Sequence, residues 1–444
     1  MSTSLRVVLI LLALSLVALM LTGMSVYARL SYLWIFLVVS AWIWSRLSLR
    51  RVEVERTTRT LRAHTGEVFE ERFVVKNGGR LPRLWIQIRD RSDLPGSRGS
   101  RVLTLIGPGE QRMYRARTRL VQRGVFSLGP TDVLSGDLFG LFPVSRTVPS
   151  KGSLLVYPMM ANVESFLSPP GLLPGGEALQ LRTHQVTPNA SGVREYIAGD
   201  PLNRIHWLSS ARRDSLIVKE FELDPMAEVW IFLDAEERVQ AAEPYSRPDE
   251  AVGAIWSPWR EVTLPPSTEE YAVSIVATLA RHFLRRERAV GLISYRDEAR
   301  RAPEVLPPDR GGRQLGKILE FLAPLEARGD LPISALMTAH AQHMPRGSTV
   351  IVVTPSVDSQ VVLAADLLSQ RGLRPVVVLI SAASFGGAHG TEELSRAGAA
   401  AGVPICQVGK ADSLSEALSV DLGGRIPRST RVSLTPIARR MARG

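Results

Sequence analysis

No charged residue occurs between Val7 and Ala28. A run this long and this apolar suits a bilayer better than the surface of a soluble domain. Arg29 interrupts it, and a second apolar run, LSYLWIFLVVSAWIWS, lies between Arg29 and Arg46. That run is short for a span, but arginines at both ends can snorkel to the headgroups. Tyr32, Trp34, Trp42 and Trp44 have the amphipathic rings that settle at membrane interfaces. Residues 1–49 are therefore expected to form a transmembrane helical hairpin in the lipid bilayer. A buried helical hairpin is the alternative, and Val26–Ala28 would be a poor signal-peptide cleavage site. Arg46, Arg50, Arg51, Arg56 and Arg59 follow the second run, whereas the connection carries only Arg29. By the positive-inside bias the chain is expected to be multi-pass in the cell membrane, with its soluble domains cytoplasmic.

The chain has 444 residues and a formal net charge of +11. Among 54 basic residues only Lys76, Lys151, Lys219, Lys317 and Lys410 are lysines. The arginine excess has two readings, biased codon usage or attraction to phosphates and anionic lipid. The arginines are spread rather than clustered. No nucleic-acid motif, stacking array or basic run accompanies them, so no nucleic-acid partner is expected. The single cysteine, Cys406, excludes an internal disulfide framework and a cysteine-based zinc site. It lies in the apolar run VPICQV and is expected to pack as a small hydrophobe.

Residues 50–165 read as short strands. VEVER alternates, FVVKN ends at Asn77-Gly78-Gly79, and LWIQIRD puts Ile86 and Ile88 on one face. Further strands are expected near 102–105, 113–120, 125–128 and 154–157. Glycine and proline punctuate them, and no long helical period appears, which points to an antiparallel β-sandwich or small barrel, the sandwich being the expectation. The segment RGVFSLGPTDVLSGDLFGLF (Arg123–Phe142) is dense in glycine and phenylalanine and reads as turns and core. A Pro/Gly-rich linker is expected over 166–190.

Residues 191–222 contain GVREYIAGDPLNRIHWLSSARRDSLIVKEFE, a segment crowded with polar groups able to organise one another. Arg194, Tyr196, Gly199, Asp200, Arg204, His206, Trp207, Ser210, Arg212, Lys219 and Glu220 are its candidate interdomain or partner-contact residues. Gly199 would permit a tight turn, Asp200 would pair with Arg194, Arg204 or Arg212, and Trp207 would bury its ring.

From residue 223 to 420 the rhythm alternates. EVWIFLD, AVGLISY, TVIVVT and RPVVVLI read as buried strands, and 271–286, 315–325, 361–368 and 392–401 as helices. Continuous Val/Ile runs flanked by helices indicate a parallel sheet covered on both faces, a Rossmann-like α/β domain. Ligands of such sheets sit beyond the carboxyl ends of the strands, where Asp234, Tyr295 and Thr354 fall. Trp256 and Trp259 lie in a polar insertion and would pack on the sheet domain or contact a partner. Residues 421–444 form a basic tail.

The order of two spans, β domain, polar segment and α/β domain, together with GVREYIAGDPLNRIHWLSSAR, resembles the membrane-anchored family called domain of unknown function 58. Arg123–Phe142 is similar to that family's glycine-rich segment. The resemblance implies a multidomain α and β protein whose last domain is von Willebrand factor A-like. It also implies a bacterial scaffold or adaptor that works with a MoxR-type AAA+ ATPase on an unknown client protein. It carries over no catalytic residue. Domains of von Willebrand A type often hold Mg²⁺ through Asp-x-Ser-x-Ser and a later Thr-Asp-Gly, hard oxygen donors converging at strand ends. Here those positions read Asp234-Ala235-Glu236-Glu237-Arg238 and Thr354-Pro355-Ser356. Asp234 and Thr354 are the weak metal candidates, and no cofactor is expected.

Three functional readings remain. The first is a non-enzymatic scaffold in which the 191–222 segment locks domains or docks a partner. The second is a metal-dependent receptor of von Willebrand A type. The third is a hydrolase in which His206 is the general base, Asp200 its orienter and Ser209 or Ser210 the nucleophile. No Gly-x-Ser-x-Gly turn, H-E-x-x-H or phosphate-binding glycine motif supports the third.

Overall fold

The computed structural model describes residues 3–149, 152–166, 190–195, 207–213, 215–221, 228–245, 263–295, 303–410 and 412–419. For 190–195, 208–209, 213 and 219–221 only the backbone is described. The expected linker at 167–189, Trp256, Trp259 and the tail from 421 lie outside the described residues. The protein is mixed α/β with two N-terminal apolar helices and several sheets. It divides into two compact units, one joining Met1–Asn162 to Met226–Lys410, the other joining Val163–Pro225 to Ala411–Gly444.

Helices α1 (Thr3–Thr22) and α2 (Ser25–Ser48) open the first unit. At 1.5 Å per residue they measure about 30 and about 36 Å, so both are long and apolar enough to cross a membrane. Gly23 ends α1 at φ +67°, a left-handed conformation that favours glycine, and its N–H donates to the Leu19 carbonyl at 2.9 Å. Two residues then suffice to turn the chain back. Arg29 lies inside α2 rather than between two apolar runs: arginine is a good helix former, so a single charge near the helix start does not break it. Ser15 and Ser31 meet between the helices, Oγ to Oγ at 3.0 Å, a polar tie of the kind that holds helices together in lipid.

The β region follows, with β1 (Val52–Thr58), β2 (Arg62–His64), β3 (Val68–Asn77), β4 (Arg83–Asp90), β5 (Arg101–Ile106), β6 (Gln111–Arg119), β7 (Gly124–Ser127), β8 (Thr131–Ser135), β9 (Val144–Val148) and β10 (Ser153–Tyr157). They form the sheets β1-β3-β6, β5-β4-β8-β9 and β2-β10-β7. The period-two alternation of β3 puts Phe73 and Val75 inward. With Tyr114 and Ala116 they meet Ile86, Ile88, Ile106 and Val133 in one apolar cluster, so the first two sheets face each other. One pairing departs from the antiparallel expectation: β2 runs parallel to β10. The long stretch of chain between them makes room for that crossover.

Two polar ties join the hairpin to this region. Arg83 is buried; it donates from Nη1 to the Leu47 carbonyl, from Nη2 to Arg50 O at 2.7 Å and from Nε to Asn77 Oδ1 at 3.2 Å. A guanidinium on the last carbonyls of α2 satisfies groups a helix end leaves open. Burial lowers the Arg83 pKa from its ordinary value. Ser45 Oγ donates to Phe142 O at 2.6 Å.

In the second unit β11 (Ala190–Glu195) pairs antiparallel with β12 (Ile217–Phe221), with α3 (Trp207–Arg213) between them in sequence.

The first unit resumes with β13 (Val229–Leu233), α4 (Thr268–Leu284), β14 (Val290–Ser294), β15 (Glu304–Asp309), α5 (Gln314–Leu322), α6 (Ile333–His340), β16 (Thr349–Thr354), α7 (Gln360–Gln370), β17 (Arg374–Ile380), α8 (Thr391–Ala400) and β18 (Ile405–Val408). α9 (Leu414–Leu418) belongs to the second unit. The sheet runs β15-β14-β13-β16-β17-β18, parallel except for β15 at one edge. Counted along the chain this is the doubly wound order 3-2-1-4-5-6. Every residue of β13, β14 and β16 is buried, as strands covered on both faces must be. β15 was not legible as a strand because it contains Pro307 and Pro308. Its edge position is what tolerates them.

Helix α4 is more buried than its pattern suggests. The expected inward face is Ala272, Ile275, Val276 and Leu279, yet Val273, Ser274, Ala277, Thr278 and Ala280 are buried too. The sheet covers one side and the β region reaches the other, where Thr278 Oγ1 accepts the Ala161 N–H at 3.0 Å. A helix between two layers needs small residues on its second face, and α4 has them.

Candidate functional site

The 191–222 segment was the strongest candidate in the sequence. Its strands place Gly192 opposite Glu220, Val193 opposite Lys219 and Arg194 opposite Val218. Tyr196, Gly199, Asp200, Arg204 and His206 lie outside the described residues, as do the side chains of Arg194, Ser209, Lys219 and Glu220. Ser210 is buried, and its Oγ accepts the Ile217 N–H at 2.9 Å, tying α3 to the start of β12. Arg212 is exposed. Trp207 corrects the expectation of a buried ring: it is 67% exposed. It opens a helix of seven residues, where water can satisfy the indole N–H.

The carboxyl ends of β13 and β16 bring Asp234 and Thr354 together, as their sequence positions suggest. Thr354 Oγ1 donates to Asp234 Oδ2 at 2.5 Å, and the Glu236 N–H donates to Asp234 Oδ1 at 3.0 Å. Thr354 Oγ1 also accepts the Ser356 N–H at 2.9 Å. Asp234 is 3% exposed, and burial pushes its carboxyl up to about 6, against the lowering effect of these two hydrogen bonds. Glu236 beside it is also raised, first by burial. Tyr295 is buried, and its hydroxyl is raised by burial and by the charge of Asp330. Among the described residues no three acidic, histidine or cysteine side chains converge as a metal would require. At the two places where serines would help hold Mg²⁺, the chain has Glu236 and an exposed Arg238.

Sequence reasoning missed a third cluster. Arg123, first residue of the glycine-rich segment, is 4% exposed at its side chain, and it pairs with Glu269 at 2.6 Å and with Glu270. Its Nε donates to Leu322 O at 3.2 Å and its Nη2 to Leu325 O at 2.6 Å. One guanidinium thus closes the C-terminal end of α5 and meets two acids in the first turn of α4, both favourable to helix termini. Burial raises the Glu270 pKa, while Arg123 opposes the rise. The only signals in the sequence were an arginine before a glycine and an acidic pair opening a helix. Nothing in them specified the pairing.

Comparison with known protein families finds one local match. Residues 192–254 match the family described as "Protein of unknown function DUF58". That match supports the family which the 191–222 segment resembles, and it covers the polar segment and the first strand of the α/β region. No curated protein matches the chain. Two solved structures illustrate the remaining likenesses. The CARDB domain of a Pyrococcus furiosus protein, in complex with di-metal ions, is 15% identical with a TM-score of 0.17, covering 24% of this chain and 91% of its own. The alkylpurine DNA glycosylase AlkC of Pseudomonas fluorescens, bound to DNA with an abasic site analogue, is 13% identical with a TM-score of 0.17, covering 33% of this chain and 41% of its own. Scores this low carry no inference about the fold or function of this chain.

Proposed function

We propose that this chain is a membrane-anchored, non-enzymatic scaffold of the DUF58 type. Its helices cross the cell membrane and its soluble parts face the cytoplasm. There they dock a MoxR-type AAA+ ATPase and a client protein, with the 191–222 segment as lock or docking face. The observation that carries this reading is mechanical continuity. Arg83 and Ser45 tie the hairpin to the β region, and Arg123 ties the β region to the α/β region. A partner bound on the last domain is thereby held at a defined place above the helices.

Met20 and Leu21 are 86% and 80% exposed, and Phe36 is 74% exposed, which suits lipid and would be costly in water. The von Willebrand A-like assignment rests on the strand order, the antiparallel edge strand and the acid at the end of β13. Orientation is tested with an impermeant thiol reagent on intact cells. Cys406 is buried, so the probe is a cysteine at exposed Leu363. No labelling until the cells are lysed is expected; labelling of intact cells would overturn the orientation.

The receptor reading is separated from the scaffold by metal. The scaffold reading expects the same melting temperature in Mg²⁺ and in EDTA, because Asp234 already serves two donors of its own chain. A rise in Mg²⁺ would favour the receptor. A pH series adds a second check. Since the folded pKa of about 6 lies above the ordinary 3.8, the Asp234 contribution is full below 3.8 and is lost as pH rises through 6. At about 1.4 kcal/mol per unit, the ionised form carries a penalty of roughly 3 kcal/mol at neutral pH. Asp234→Asn should therefore gain on the wild type at neutral pH and lose that relative gain on acidification. A stability difference that does not change with pH would remove the buried-acid assignment.

A further inference from the structure

The far end of the glycine-rich segment, the loop 136–142, has a role that neither the family match nor the scaffold reading supplies. Asp137 is buried, and its carboxylate accepts three backbone N–H groups, from Phe139 at 2.9 Å, Leu141 at 3.0 Å and Phe142 at 2.7 Å. Gly140 makes the bend at φ +67°. Three charge-assisted bonds within one short loop hold it in a single shape. That shape sends Leu141 one way and Leu138 and Phe139 the other. Leu141 is 2% exposed and packs with Leu5 and Ala41 of the helical hairpin, with Leu37 and Phe142 against the same cluster. Leu138 is 70% exposed and Phe139 58% exposed.

The contacts on α2 set the depth of the loop. Arg46 stands near the end of α2, where an arginine marks the headgroup level. Ala41 is five residues earlier, about 7.5 Å toward the bilayer centre along the helix. Leu37 is one turn deeper. The loop straddles this level: Phe142 O meets Ser45 beside Arg46, while Leu141 packs with Ala41 below it and with Leu5, next to Arg6 on α1, so its two exposed apolar side chains stand at the boundary of headgroups and acyl chains. The buried carboxylate that shapes it accepts three N–H groups, which offsets the cost of holding a charge so near the lipid.

We propose that the loop 136–142 is a membrane-inserted anchor, with Leu138 and Phe139 at the edge of the apolar layer of the bilayer that α1 and α2 cross. This rests on the membrane reading of the helices and extends it to the β region. Together the loop and the hairpin would fix the tilt of the soluble parts on the membrane surface.

The test uses full-length protein in phosphatidylcholine–phosphatidylglycerol vesicles, with Cys406→Ala and a nitroxide attached through Phe139→Cys. Oxygen concentrates in the acyl layer, and a nickel chelate stays in water. Matching labels at Phe36 on α2 and Met113 on β6 are the references, both of them exposed in the structure. Collision with oxygen at 139 should rise and collision with nickel fall, toward the values at 36 and away from those at 113; Leu138→Cys should repeat the shift. Nickel access at 139 equal to that at 113, while 36 stays in lipid, would overturn the anchor alone. Nickel access at 36 as well would overturn the membrane reading and the anchor with it. Shielding of 139 from both reagents would mean that a protein surface covers the loop, which also overturns the proposal.

Discussion

Arg123→Met is expected to be the most destabilising single substitution among the polar ties that join the regions of the molecule. Removing one partner of a buried ion pair typically costs about 3–5 kcal/mol, because the remaining charge is left without compensation. In this cluster two carboxylates remain. Glu270 is largely buried and already raised by that burial, and Arg123 is what holds the rise in check. The Leu322 and Leu325 carbonyls at the end of α5 lose their donor at the same time. The sign with pH follows. A raised acid favours the fold when protonated, so its ionised form is a penalty present at neutral pH and removed as pH falls through the folded pKa. With Arg123 gone that pKa rises further, and the deficit of Arg123→Met should shrink on acidification. Chemical denaturation at neutral pH and at about pH 5 measures both values. Neutralising the acids in the same chain, with Glu269→Gln and Glu270→Gln, should recover part of the loss, which a double-mutant cycle reads as coupling. A loss within about 0.5 kcal/mol, the range of an ordinary surface change, would show that the β and α/β regions are not joined at this point.

Arg83→Ala is expected to have the second largest effect, of a different kind. Three hydrogen bonds from one buried guanidinium end at Leu47 O, Arg50 O and Asn77 Oδ1. A bond to a charged group contributes about 1.5–3 kcal/mol net, and the three losses do not add, because water entering at the helix end re-satisfies the freed carbonyls. The lost stability should appear where the hairpin meets the β region, not throughout the molecule. Hydrogen exchange in detergent or nanodiscs should show faster exchange over the last turn of α2 and residues 49–52, with the α/β sheet unchanged. Uniform acceleration, or none, would contradict the role of Arg83 as the coupling between α2 and the β region.

The sequence revealed most where burial is continuous. TVIVVT and RPVVVLI could only be buried strands, and their spacing with intervening helices already implied the parallel sheet. The apolar runs before Arg46 likewise left little choice but two long helices. Legibility failed where tertiary context overrides local chemistry. β15 is hidden by two prolines that only an edge strand accepts, and β2, reading Arg62-Ala63-His64, has no pattern of its own. Helix α4 reads as one-sided because small polar residues on its second face look like a surface until another layer covers them. Among functional candidates, Asp234 and Thr354 met because strand ends converge, a rule of the fold class. Arg123 found Glu269 and Glu270 across a long stretch of chain, and no local pattern encodes that. Trp207 drew attention as a core aromatic, yet it opens the seven-residue helix α3 with its ring 67% exposed.

The scaffold reading is tested most directly by crosslinking followed by mass spectrometry on the protein in its native membranes. Crosslinks are expected between an AAA+ ATPase of the MoxR type and the soluble region, with residues 192–254 or the α/β region among the linked peptides. A crosslinked population that holds only lipid-proximal neighbours of α1 and α2, with no ATPase joined to the soluble region, would contradict it.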